Sequence, residues 1–162
     1  MVNDLYQEII LDHSKRPRNC HSMAGASSKA EGYNPLCGDK LKLFIKLEGD
    51  IVRDASFEGS GCAISTASAS LMTETLKGKT REEALKLLER FHELLTTDTP
   101  VSAELGKLVV FCGVRDYPAR VKCATLAWHA LKQALHASPA SGSENGLELS
   151  QSVTLRPDDP DL

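Results

Sequence analysis

Three cysteines far apart in the chain constrain it most: Cys37 in Asn34-Pro35-Leu36-Cys37-Gly38-Asp39, Cys62 in Gly59-Ser60-Gly61-Cys62-Ala63, and Cys123 in Arg120-Val121-Lys122-Cys123-Ala124. No two of them form a Cys-x-x-Cys pair. With Asp39 they supply three thiolates and a carboxylate, the donors of a tetrahedral zinc site. Such a site is closed only if tertiary structure brings distant segments together. A site of long-range ligands also opens more readily than a local zinc knuckle.

The 162 residues fit one domain with a single core. Hydrophobic content of 41% and charged content of 25% are those of a soluble globular chain. A net charge of −3 argues against nucleic-acid binding, which needs a basic face. From Ser138 onward there are five acids (Glu144, Glu148, Asp158, Asp159, Asp161) and one base, Arg156. Residues 1–137 therefore read as the domain and 138–162 as an acidic, disordered tail. No apolar run reaches the ~20 residues of a membrane span. The start lacks the basic and apolar regions of a secretory signal. Five cysteines at irregular spacing then fit a reducing, cytoplasmic setting.

Apolar spacing predicts a first helix capped by Asn3, with Leu5, Tyr6, Ile9 and Ile10 on one face, ending before Pro17. Arg18 to Tyr33 reads as an irregular connection. The alternation Leu41, Leu43, Ile45, Leu47 marks a half-buried strand. Glu48-Gly49-Asp50 turns it into a second strand, Ile51 to Phe57. A helix from about Cys62 to Lys77 ends at Gly78. Thr80 and Glu83 form a capping box for a helix packing through Ala84, Leu87, Leu88, Phe91 and Leu95. Ala103 to Cys112 reads as a short helix, with Leu108-Val109-Val110-Phe111 open to reading as a strand. Pro118 opens the last helix, whose buried row is Val121, Ala124, Trp128, Leu131 and Leu135.

Cys62 at a helix start is placed where unpaired N–H groups and the helix dipole favour a thiolate. Lys40, Arg120 and Lys122 could offset the negative charge of the donor set. Free cysteine often behaves as a small buried hydrophobe, and Cys112 beside Val110 and Phe111 reads that way. Cys20-His21 has no partner motif and reads as incidental. His92, His129 and His136 stand singly on helices. No nucleotide-binding, P-loop or serine-hydrolase motif occurs.

Together, Leu11-Asp12-His13 with Pro17-Arg18-Asn19, the two cysteine motifs from Asn34 and from Phe57, and Tyr117 to Trp128 resemble the IscU-like iron–sulfur assembly family, in its SufU branch. Lys122 stands where the scaffold branch has a histidine, and Tyr117-Pro118-Ala119-Arg120-Val121-Lys122 replaces that branch's chaperone-binding segment. The helix after Gly78 matches an insertion of the SufU branch. The resemblance implies an α+β fold: a small antiparallel sheet of about three strands covered by helices, with the metal site at one end. It implies zinc on Cys37, Asp39, Cys62 and Cys123, with iron or an iron–sulfur cluster as the alternative of a scaffold. The implied partners are a pyridoxal-phosphate cysteine desulfurase (SufS-like) and the downstream iron–sulfur assembly machinery. In the implied chemistry a desulfurase group displaces Cys37 from zinc, and the freed thiolate takes the outer persulfide sulfur. Arg120 would dock or steer the persulfide.

Overall fold

A computed structural model describes residues 2–35, 37–97, 103–137 and 150–154. The order is α1 (Val2–Lys15), β1 (Ser28–Asn34), β2 (Asp39–Glu48), β3 (Ile51–Ser60), α2 (Ala63–Leu76), α3 (Arg81–Thr96), a 3-10 segment (Ala103–Asp116), α4 (Pro118–Ala137) and β4 (Ser150–Thr154). The sheet runs β3-β2-β1-β4. Strands β1, β2 and β3 are antiparallel neighbours, as expected of a small antiparallel sheet, whereas β4 lies parallel to β1. Most of the tail lies outside the described residues, and β4 is its one described stretch.

The expected hairpin is present, with Leu41, Leu43 and Ile45 buried as their alternation requires. The segment read as an irregular connection instead supplies a strand, β1. Its sequence, Ser-Lys-Ala-Glu-Gly-Tyr-Asn, carries no apolar alternation, yet Ser28, Ala30, Gly32 and Asn34 are its buried positions. They are small because α4 lies directly on them. The Ser28 hydroxyl donates to the Ala134 carbonyl at 2.8 Å. A Cβ on Gly32 would come within 2.9 Å of Leu126 Cδ1.

Helix α4 is the centre of the molecule. Its predicted row is buried throughout, and Cys123, Leu126, Ala127, Ala130 and Ala134 are buried as well. A helix enclosed on nearly all sides needs small or apolar residues around its whole girth. Trp128 stacks on Phe91 of α3, with ring centroids 4.5 Å apart. Its Nε1 donates to Ser68 Oγ of α2 at 3.1 Å, and that hydroxyl donates to the Ala124 carbonyl. One indole thereby ties three helices together with its own buried donor paired.

Boundaries follow local chemistry. The capping box is complete, with Thr80 Oγ1 accepting from the Glu83 N–H and the Glu83 carboxylate accepting from the Thr80 N–H. Gly78 takes the left-handed conformation that stops α2 (φ 86°). Asn3 lies inside the first turn of α1, since the helix already begins at Val2. Ala103–Asp116 is helical rather than extended, in 3-10 form and broken at Gly106. Trp128→Ala should cost about 3–5 kcal/mol, against about 1 kcal/mol for Thr80→Ala. Chemical denaturation of both variants beside the parent checks that order.

Candidate metal and sulfur centre

The three cysteine segments meet at one end of the sheet. Cys37 sits in the turn between β1 and β2, helped by Gly38 in the left-handed region (φ 72°). Asp39 begins β2, Cys62 caps α2, and Cys123 lies in the second turn of α4. The donor atoms of Cys37, Asp39 and Cys123 all lie within 4.8 Å of one another. Cys123 Sγ is 3.1 Å from Cys37 Sγ. Cys62 stands beside this triplet rather than within it, its Sγ 3.9 Å from Asp39 Oδ2.

The donors differ in access. Asp39 and Cys123 are fully buried, Cys62 is half-buried and Cys37 is exposed. Asp39 Oδ1 accepts from the Cys62 backbone N–H at 2.8 Å, which satisfies one oxygen and leaves Oδ2 on the sulfur side. The donor set fits zinc in kind: sulfur and carboxylate ligands suit a borderline-soft ion. It also fits in size. Two sulfurs at ~2.3 Å from a tetrahedral ion lie about 3.8 Å apart, so Cys37 and Cys123 need separate by less than about 1 Å.

Charge is shared unevenly. A hydrogen bond from Cys123, followed by the Ser65 N–H at the start of α2, outweighs partial burial and lowers the Cys62 pKa from 9.0 to about 6. The same hydrogen bond, reinforced by burial, pushes the Cys123 pKa far up, so Cys123 holds the proton that Cys62 gives up. Arg120, exposed at the start of α4, has its pKa raised first by the Cys62 charge and then by a hydrogen bond to Cys123. Arg120 is one of the three cations that the charge argument singled out. Lys40 instead lies over the Tyr33 ring, 5.8 Å from its centre. A cavity of about 430 Å³ opens beside Arg120, lined by Tyr6, Ile10, Ile64, Val114 and Tyr117 among others.

Asn34 also belongs to this centre, although sequence reasoning missed it. It is buried, and its Nδ2 donates to Cys123 Sγ at 3.9 Å. Its position three residues before Cys37 was the available signal. By contrast, the Leu11-Asp12-His13 motif does not reach the sulfurs. Buried His13 pairs through Nδ1 with Ser70 Oγ at 2.7 Å, and Ser70 also accepts from the Arg18 N–H. Those contacts fasten α1 to α2. Cys112 is half-buried against the core, and Cys20 is exposed at an isolated bridge to Phe57.

In the metal-free protein, thiolate absorbance near 240 nm should rise with a midpoint about pH 6. That rise should vanish in Cys62→Ser. The folded pKa lies below the unfolded one, so the stabilisation from this thiolate is full above pH 9 and lost as pH falls through about 6.

Comparison with known proteins agrees with this geometry. Residues 5–141 match the family described as NifU-like N terminal domain. The chain is 45% identical over 133 residues to the zinc-dependent sulfurtransferase SufU of Bacillus subtilis, covering 82% of this chain and 90% of the relative. It is 43% identical over 138 residues to the iron-sulfur cluster assembly scaffold protein IscU of Streptococcus pyogenes serotype M1, covering 85% and 86%. A crystal structure described as a putative iron-sulfur cluster assembly scaffold protein for the SUF system, from Fervidobacterium islandicum AW-1, superposes with a TM-score of 0.75. That match has 38% identity and covers 82% of this chain and 98% of the other. The chain belongs to the NifU-like N-terminal domain family, with relatives named both SufU and IscU.

Proposed function

We propose that this protein works in iron–sulfur cluster assembly as a zinc-dependent sulfurtransferase, accepting sulfur on Cys37 from a pyridoxal-phosphate cysteine desulfurase of the SufS type. One observation carries the reading: Cys37 is the exposed thiol of a cluster whose other nearest donors, Asp39 and Cys123, are fully buried. A sulfur acceptor needs one reachable nucleophile held in a fixed setting. The 45% identity to a protein named a zinc-dependent sulfurtransferase supports the same role.

Cys37, Asp39, Cys62 and Cys123 are the residues that would hold zinc. The chemistry a bound zinc ion supplies is to keep its cysteine ligands deprotonated and to join the segments that carry them. In the transfer step, the Cys37 thiolate attacks the terminal sulfur of the donor Cys–S–SH. A new S–S bond forms on Cys37 as the donor's S–S bond breaks, and the donor leaves as a thiolate. The proton stays on the transferred sulfur. Arg120 presents a guanidinium beside the thiols, where it steadies the negative charge as it passes from the Cys37 thiolate to the departing donor thiolate. Asn34 and the backbone N–H of Cys62 hold Cys123 and Asp39 in place.

The relative named a scaffold supports a second reading, in which a cluster is built and passed on by the same three cysteines. Lys122 weighs against it. An ammonium offers no lone pair to a metal, so the position before Cys123 supplies no extra ligand here.

Cys37→Ala should abolish both stimulation of desulfurase turnover and uptake of labelled sulfur; normal stimulation by that variant refutes the role given to Cys37. Anaerobic reconstitution with iron and sulfide, followed by transfer to an apo-acceptor, separates the readings, efficient transfer favouring the scaffold. Arg120→Ala should slow sulfur uptake by about tenfold, with Arg120→Lys in between. Because Arg120 is exposed, its advantage over Ala should shrink as salt is raised, measured as initial rates across an ionic-strength series.

A further inference from the structure

We infer that Gly61 is a positioning residue for the centre: its missing side chain is the space that the Asp39 carboxylate occupies, and it fixes which oxygen of Asp39 faces the sulfurs. A Cβ built on Gly61 would lie 2.6 Å from Asp39 Oδ1, 3.1 Å from its Cγ and 3.2 Å from its Cβ. All three nearest atoms belong to Asp39. The next residue completes the grip, since the Cys62 N–H donates to the same Oδ1 at 2.8 Å. Oδ1 is therefore seated against the Gly61–Cys62 peptide, and Oδ2 is left 3.9 Å from Cys62 Sγ.

Asp39 is fully buried, so its carboxylate cannot swing out to relieve a clash with a methyl group. Gly61 is not among the glycines in the left-handed region, so alanine suits its backbone. The closest contacts of an alanine methyl there all fall on Asp39. This sets Gly61 apart from Gly59, where a Cβ would strike the Lys40 backbone and disturb the strand pair. The inference rests on the proposed donor set only for its metal readout. A second readout tests the carboxylate's placement without metal.

Gly61→Ala should weaken zinc affinity by about ten- to a hundredfold in chelator competition, the range seen when a partner that orients a ligand is lost. In the metal-free protein the Cys62 amide proton should exchange faster with solvent, because its acceptor has been pushed aside. The double variant Asp39→Ala/Gly61→Ala should bind zinc no more weakly than Asp39→Ala alone, since the methyl then meets no carboxylate. Parent affinity and parent amide exchange in Gly61→Ala would overturn the inference. So would a further tenfold loss in the double variant beyond Asp39→Ala. If Gly61→Ala fails to fold, recovery of the fold on adding Asp39→Ala supports the inference, and persistent misfolding overturns it. A parent protein that does not retain zinc counts against the sulfur-transfer reading alone, because the amide-exchange result stands without metal.

Discussion

The close seating of α4 on β1 is the contact on which the rest depends. Ser28, Ala30, Gly32 and Asn34 turn small or short polar side chains toward the helix, and anything larger would hold the helix off. That proximity delivers Cys123 to the end of the sheet where β1 runs into the Cys37 turn. It also explains why α4 is buried on most of its surface, with alanines at 124, 127, 130 and 134 where a surface helix would carry charge. The site is thus a by-product of how the central helix packs, and its two nearest sulfurs come from segments 86 residues apart.

Once the segments converge, electrostatics divides the labour. Three thiols and a carboxylate in one place cannot all be charged without a cation. In the metal-free state the strain is eased by one proton on buried Cys123 shared toward its neighbours, and by Arg120 at the rim. Cys62 takes the negative charge because it accepts a hydrogen bond from Cys123 and N–H donors from the first turn of α2. A metal ion answers the same need more completely, and so ligand binding and folding are coupled in a site of this kind.

Much of this was legible in the sequence, and the omissions share a cause. The capping box, the β2–β3 hairpin and the α4 row are written in local patterns, because each reflects a period or a cap of a few residues. Strand β1 was not legible: its inward face is chosen for smallness against a helix whose contact with Ser28 lies 106 residues away, and smallness reads as a loop. The same applies within the site. Cys37, Asp39, Cys62 and Cys123 announce themselves by chemistry, but Asn34 and Gly61 act through a contact and an absence. A glycine required by a neighbour's carboxylate looks, in sequence, like any glycine before a helix.

The lysine at 122 gives the carboxylate its weight. An imidazole at that position would place a further donor next to Cys123. Lys122 offers none, so in the proposed donor set the fourth ligand is Asp39. The structure treats Asp39 accordingly: it is fully buried, one oxygen is tied to the Cys62 N–H, and Gly61 keeps the space around it clear. Cys37 sits on a turn, open to solvent, and meets Cys123 Sγ at 3.1 Å. In the proposed donor set the carboxylate is therefore the buried group, and the thiol that would meet a partner is the exposed one. Under the proposed function, that difference would let one sulfur exchange while the remaining donors keep the centre assembled.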